Sequence, residues 1–221
     1  MSDQFFHILN RGVEKRKIFF NKEDHLRFAD NIRDLNNQEI ALLSYENRRK
    51  YSEVSAPKKN LVDVLCWSML PNHFHVMVRS KTDKGASIFA QKLTGGYTMY
   101  FNPRRKRSGT LFQGRSKVIP ISHEAHFIHL PFYVLANPLD MFQSGWREDG
   151  IADPEKAVEF LENYPWSSFR ELVKSVPSAP TTNRKLFFEL FDTNEKRVRE
   201  DLREWMHIYN KNPKYIELLT P

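Results

Sequence analysis

Two apolar runs separated by only two residues constrain the fold of this chain more than any other feature. LVDVLCWSML spans residues 61–70, HFHVMVRS spans residues 73–80, and Pro71 and Asn72 lie between them. Both runs are rich in β-branched and aromatic residues, which favour strands. The two-residue gap therefore predicts two adjacent strands joined by a tight connection.

Further elements are predicted on both sides of this strand pair. Strands are predicted at residues 5–12 and 39–45, extended structure at 110–121, and helices at 22–37, 85–102 and 123–137. Asn21 and Ser122 are the expected N-caps of the first and third helices. This order predicts an α+β fold with a mainly antiparallel sheet flanked by helices.

The strand signal fades beyond about residue 140. In the last part of the chain Val198, Leu202, Trp205 and Tyr209 recur at helical spacing, which indicates an apolar helix face packed in a core. We therefore predict two domains, residues 1–140 and a mainly helical C-terminal extension at residues 141–221.

The composition limits the partners and the compartment. Thirty-four Lys and Arg against twenty-seven Asp and Glu give a net charge of +7, which suits a polyanion, although a merely basic surface is about as common. The single cysteine, Cys66, excludes an intrachain disulfide framework and a cysteine-rich zinc site. With no apolar run of about 18 residues, the sequence predicts a cytoplasmic protein with no membrane partner.

His73 and His75 are candidate metal ligands. They flank Phe74 in a predicted strand, and residues two apart in a strand point to the same face. Neutral imidazole is a good ligand for divalent metals, but two histidines leave the coordination shell incomplete. By spacing alone, the pair is more often part of an ordinary strand face than a metal site.

Tyr133 and Asn137 form a second weak signal. They lie four residues apart on a predicted helix and therefore on the same side, one turn from each other. In many helices, a tyrosine at such a position packs in the core and an asparagine before proline ends the helix.

Six motifs occur in an order that resembles one known family. They are HILNRGVEKRKIFF at residues 7–20, MLPNHFHVMVR at 69–79, QKLTGGYTMYFN at 91–102, GTLFQGRSK at 109–117, YVLANP at 133–138 and YPWSSF at 164–169. The set resembles the REP-associated tyrosine transposases, within the HUH single-tyrosine transposases. The resemblance implies an HUH endonuclease-like fold in residues 1–140, with His73 and His75 binding the metal, Tyr133 as the nucleophile and Asn137 as a third, polar metal ligand.

The same resemblance implies an activity. It is metal-dependent nicking and joining of single-stranded DNA through a 5′-phosphotyrosine, with Mg²⁺ or Mn²⁺ as the expected metal and hairpin-forming repetitive extragenic palindromic DNA as the expected substrate. One alternative is a catalytically inactive nucleic-acid-binding protein that keeps this fold. Pro131 and Leu135 favour it, because the first removes a helical hydrogen bond and the second replaces a histidine common in the family. A metal-dependent hydrolase that uses water is a further alternative.

Basic residues are the expected DNA contacts. Arg104, Arg105, Lys106 and Arg107 form the densest run, which suits phosphate contact or, alternatively, a solvated loop. Arg11, Arg115 and Lys117 lie inside the family-like motifs, beside predicted strands, and are better candidates for the active-site side of the sheet. The sequence leaves a monomer and a homodimer equally open.

Overall fold

A four-stranded antiparallel sheet lies at the centre of this computed structural model, which describes residues 4–38, 59–174 and 181–211. The strands are β1 (Gln4–Arg11), β2 (Val62–Leu70), β3 (His73–Ser80) and β4 (Lys117–Pro120). Their order across the sheet is β2-β3-β1-β4. The predicted tight connection between β2 and β3 is confirmed. The strand predicted at residues 39–45 lies outside the described residues.

Eight α-helices accompany the sheet in the described ranges. They are α1 (Lys22–Asp34), α2 (Gly85–Arg104), α3 (Glu124–Ala136), α4 (Trp146–Asp149), α5 (Pro154–Asn163), α6 (Phe169–Val173), α7 (Arg184–Leu190) and α8 (Val198–Lys211). The α+β class with an antiparallel sheet flanked by helices is confirmed. None of the described helices has the length and apolar character needed to cross a membrane.

The predicted helix caps have different outcomes. Asn21 caps α1, since its side chain accepts a hydrogen bond from the Asp24 backbone N–H. Ser122 does not cap α3. The N-cap residue there is His123, whose side chain makes no capping hydrogen bond. Helix α3 continues through Pro131 and ends at Ala136, with Asn137 as its C-cap.

The extended structure predicted for residues 110–121 is wrong over most of its length. Only residues 117–120 pair with β1, and the preceding residues form a loop. Gly114 has a φ of 75°, a conformation that glycine adopts without strain and that turns the chain out of a strand. The loop is attached to the end of β1 by a bridge between Gly12 and Phe112 and by a hydrogen bond from the Gln113 N–H to the Arg11 carbonyl.

Hydrophobic clusters cover both faces of the sheet, so every residue of β2 is buried. On one face Phe74, Val76 and Val78 pack with α1 and α2. On the other, Leu65 and Met77 join one cluster that contains side chains of α3 through α8. The four apolar residues singled out in the last helix are all buried in that cluster, which confirms their role in packing.

The YPWSSF motif covers the edge of the sheet at β2. The Ser168 N–H donates to the Trp67 carbonyl, the Met69 N–H donates to the Trp166 carbonyl, and the Ser168 hydroxyl oxygen accepts from the Trp67 N–H. These contacts satisfy backbone groups that an exposed edge strand would leave unpaired.

Candidate active site

The two histidines of β3 lie on the face of the sheet that packs against α3. Phe74, between them, points into the opposite cluster, as strand alternation requires. The ring centroids of His73 and His75 are 5.2 Å apart and the rings are nearly perpendicular. His75 is buried and His73 is partly exposed.

Each of these rings is oriented by a neighbouring side chain. The His73 Nδ1 lies 2.7 Å from the amide oxygen of Asn72, so Nδ1 carries the proton and donates it. The His75 Nδ1 lies 2.9 Å from the Nε2 of His7, which is fully buried in β1. A metal-ligating histidine commonly has its second nitrogen held in this way, which fixes the tautomer and the plane of the ring.

All three imidazoles are held in the neutral form. Burial lowers the pKa of His73 to about 4 and that of His7 to about 3. Burial is also the main cause that holds the pKa of His75 well below its usual range, and the neighbouring His7, His73 and Arg147 act in the same direction. Neutral imidazole is the form that can coordinate a cation.

Helix α3 brings Tyr133 and Asn137 to this histidine pair. The Tyr133 ring lies 6.0 Å from the His75 ring in an edge-on arrangement. The Asn137 amide donates from Nδ2 to the Tyr133 carbonyl oxygen at 2.8 Å, and its side chain lies beside His73. Two pairs of residues, about 60 positions apart in the chain, therefore meet at one place.

Arg147, from the short helix α4, completes this cluster. Its Nη2 donates to the Asn137 Oδ1 at 2.9 Å, and its guanidinium carbon lies 5.8 Å from the centre of the Tyr133 ring. It also forms an ion pair with Asp140. Asn137 thus presents an oxygen that already accepts one hydrogen bond and has a second lone pair left.

A cleft of about 690 Å³ opens on the histidine side of this cluster. Four basic side chains line it: Lys15 and three of the residues predicted to bind DNA, Arg11, Arg115 and Lys117. Strand register explains this in part, because Arg11 pairs with His73, and Leu9 pairs with both His75 and Lys117. Tyr133 is only 8% exposed and lies behind the histidines rather than in the cleft wall.

The basic run after α2 lies elsewhere and is partly neutralised. Arg104 pairs with Glu23, Arg105 pairs with Asp24, and Arg107 lies 6.0 Å from the centre of the Phe101 ring. Lys106 is exposed at the turn that follows the helix. None of the four lines the cleft beside the histidines.

The donor set fits a divalent cation with a mixed shell. Two neutral imidazoles whose Nδ1 atoms are engaged, and one amide oxygen, converge at the cluster. Across the described ranges, no group of three or more His, Cys, Asp or Glu side chains is placed to hold a metal, so Asn137 would have to supply the third protein ligand. Nitrogen ligands alone favour transition metals over Mg²⁺.

Two residues of this cluster were not singled out from the sequence. His7 could have been, since residues 7, 9 and 11 alternate on one strand and Arg11 was already a candidate. Arg147 carries no such signal, because it lies beyond the last strand in a segment read only as helical.

Comparisons with known proteins give a distant structural similarity. No family model matches the chain, and no curated protein matches it. A solved structure of a REP-associated tyrosine transposase bound to a REP hairpin aligns with 82% of this chain and 88% of its own, at 15% sequence identity and a TM-score of 0.47. An alignment at this level does not establish a family.

Proposed function

We propose that this protein nicks and rejoins single-stranded DNA, with the hydroxyl of Tyr133 as the attacking nucleophile. The observation that carries the proposal is the convergence of Tyr133 and Asn137 on two neutral imidazoles that line a basic cleft. A tyrosine that serves only in packing does not require two imidazoles and an amide beside it. The sequence resemblance to REP-associated tyrosine transposases supports the same assignment.

His73, His75 and Asn137 would hold a divalent metal ion, for which Mg²⁺ or Mn²⁺ is expected from the resemblance. When bound, the ion polarises the phosphate and offsets the charge on its oxygens. His7 and Asn72 keep the two imidazoles oriented through their Nδ1 atoms. Burial keeps those imidazoles neutral and ready to coordinate.

The reaction is a transesterification at phosphorus. The Tyr133 oxygen forms a bond to the phosphorus as the bond from phosphorus to the 3′ oxygen breaks, which leaves a 5′-phosphotyrosine and a free 3′ end. The phenol proton is balanced by the proton that the 3′ oxygen gains. Because one phosphoester replaces another, the reverse attack by a 3′-hydroxyl rejoins the strand.

The cleft favours DNA as the substrate. Arg11, Lys15, Arg115 and Lys117 supply positive charge beside the histidines, and cations of this kind bind phosphates without reading bases. A hairpin flanked by a short single strand is the substrate class we propose, by the same resemblance. Such a strand presents a phosphodiester outside the base-paired duplex.

The proposal is tested by incubating the protein with labelled hairpin-bearing single strands and Mg²⁺ or Mn²⁺, then looking for DNA linked to protein on a denaturing gel. We expect a metal-dependent adduct that disappears in Tyr133→Phe. Tyr100→Phe is the matched control, since it removes a half-buried phenol whose hydroxyl donates to Asp24 instead. Cleavage without an adduct, equal in Tyr133→Phe, would establish water as the nucleophile and contradict the proposal.

A second candidate is a DNA-binding protein without turnover. The low exposure of Tyr133 favours it, because a phenol behind the histidines must be reached by the phosphate before it can attack. The same gel separates the two functions, provided that binding is measured in parallel. Tight binding of hairpin strands with no adduct and no cleavage would favour this candidate.

A further inference from the structure

Arg147 is presented to the active site by a short, well-anchored turn. Helix α4 begins after Gly145 and ends at Gly150, which have φ values of 78° and 82°. The neighbouring Trp146 is buried and donates from its indole nitrogen to Asp140 at 2.8 Å. The Tyr209 hydroxyl, on α8, donates to the backbone carbonyl of Arg147 at 2.9 Å.

The last helix fixes this turn at a second point. The Asn210 side chain accepts from the Ile151 N–H and donates to the Ile151 carbonyl, at 2.7 and 2.8 Å. A Cβ added at Gly150 would lie 2.9 Å from the Asn210 side-chain oxygen, so only glycine permits this close approach. The C-terminal helices therefore hold Arg147 in one position relative to α3.

The guanidinium lies against the proposed nucleophile and the proposed third ligand. It donates to the Asn137 Oδ1 and lies over the Tyr133 ring, and about a quarter of its side chain is exposed. The guanidinium donates hydrogen bonds to Asp140 from Nη1 and to Asn137 from Nη2. A guanidinium has five N–H donors, so donors remain for an incoming oxygen.

Electrostatics keep this cation charged and link it to the whole cluster. Burial acts to lower the pKa of Arg147, but interactions with Tyr133 and Asp140 outweigh it, so the pKa is raised. The charge of Arg147 in turn contributes to lowering the pKa of His73 and of His75, although burial is the main cause at both. A half-buried cation beside a tyrosine is a ready partner for a phosphate.

We propose that Arg147 is a further catalytic residue, whose guanidinium binds a non-bridging oxygen of the scissile phosphate beside Tyr133. It offsets the negative charge that builds on the phosphate while the Tyr133 oxygen attacks. Arg147 remains protonated throughout, so the bonds made and broken are those of the transesterification alone. This assignment rests on the proposed function.

The competing role is purely structural, with Arg147 serving only to tie Asn137 to Asp140. The two roles differ in what a free cation can restore. A guanidinium ion supplied in solution can enter the space left by Arg147→Ala and bind a phosphate, but it is not attached to α4 and cannot restore the contact that α4 makes with Asn137 and Asp140. Rescue therefore separates catalysis from anchoring.

The test measures the single-turnover rate of adduct formation on a hairpin strand, and DNA affinity in a Tyr133→Phe background. For Arg147→Ala at saturating DNA we expect the rate to fall by about 100-fold or more, which is the loss seen when one donor to a transition-state oxyanion is removed. The loss of DNA affinity should be much smaller. Millimolar guanidinium should restore part of the rate, and Arg147→Lys should retain part of it. Arg199→Ala is the matched control, since Arg199 is half-buried and paired with Glu162 on helices outside the site.

Each outcome decides a different point. An unchanged rate in Arg147→Ala would overturn the role of Arg147 and leave Tyr133 as the nucleophile. The catalytic role would also be overturned if guanidinium did not restore the rate, if Arg147→Lys were equally slow, and if thermal stability fell to match. That result would mean that Arg147 only anchors α4. If Arg147→Ala does not fold, Arg147→Gln and Arg147→Lys carry the comparison. Wild-type protein that binds the strand without forming an adduct would overturn both this inference and the proposed function.

Discussion

His7 contacts the proposed metal ligand His75 through a single buried hydrogen bond. For the Nε2 of His75 to coordinate a metal, its Nδ1 must carry the proton and donate it to the Nε2 of His7. The remaining proton of His7 then lies on Nδ1, a buried atom with no protein partner among the described residues. The tautomer that suits a metal thus has a cost at His7, which coordination by His75 would offset.

We predict that His7→Ala weakens binding of Mn²⁺ by about 10–100-fold, because loss of an outer partner frees the ring of a ligating histidine. His7→Gln should lose less, since its amide oxygen can accept the same hydrogen bond. Titration calorimetry with Mn²⁺ measures both, and His207→Gln, an exposed histidine on α8, is the control. Equal affinity in His7→Ala and wild type would mean that His7 does not orient His75.

The stability of the fold should also depend on pH through His7. Burial lowers its pKa in the folded protein from 6.5 to about 3, so between these values the unfolded chain binds more protons. The free energy of unfolding is therefore expected to fall as pH decreases below about 6.5, and each unit of pKa difference corresponds to about 1.4 kcal/mol. Urea unfolding between pH 7.5 and 4.5 should show a shallower fall in His7→Gln than in wild type or His207→Gln. Parallel curves would contradict this prediction.

At the scale of elements, the cap of α1 offers a clean test of local stability. The Asn21 side chain accepts from the Asp24 N–H at 2.9 Å, which satisfies a backbone donor that the helix cannot. We predict that Asn21→Ala lowers the free energy of unfolding by about 0.5–2 kcal/mol. Asn163→Ala, at the exposed end of α5, should change it by less. Urea titrations of the two variants measure the difference, and equal losses would show that the cap contributes nothing beyond the usual effect of the substitution.

Elements with a strong local period were predictable, and elements whose shape depends on distant contacts were not. Strands β2 and β3 follow from their β-branched runs, and α1 from its cap and spacing. The loop before β4 was read as extended because its side chains suit a strand. In the structure it bends at Gly114 and docks on Gly12 and Arg11, which are about 100 residues away in the chain. A single sequence does not indicate which distant residues such a loop will contact.

The same distinction holds for the active site. Motifs predicted Tyr133, Asn137, His73 and His75 as site residues, and the structure brings these four together. Arg11, Arg115 and Lys117 line the cleft beside the histidines. Arg147 was missed because its position depends on α8, through Tyr209 and Asn210, and not on any motif around it. Its site is assembled by packing of the C-terminal helices against α3.

At the scale of the whole molecule, the net charge of +7 matters less than where the unpaired charge lies. Arg115 and Lys117 line the cleft, whereas Arg104 is paired with Glu23 on another surface. We predict that Arg115→Ala and Lys117→Ala each reduce the slope of log affinity against log salt by about 0.7 for single-stranded DNA. Arg104→Ala should change that slope less. Fluorescence anisotropy at several salt concentrations measures it, and a larger effect at Arg104 would move the DNA path away from the cleft.

The central claim is that Tyr133 becomes covalently joined to DNA. The chain has eight tyrosines, and the other four that the structure describes donate their hydroxyls to protein groups, at Tyr97, Tyr100, Tyr164 and Tyr209. Mass spectrometry of the nuclease- and protease-digested adduct identifies the modified residue directly. The account predicts a nucleotide linked through a 5′-phosphate to the peptide that contains Tyr133. A nucleotide on any other residue, or cleaved strands with no modified peptide, would contradict it.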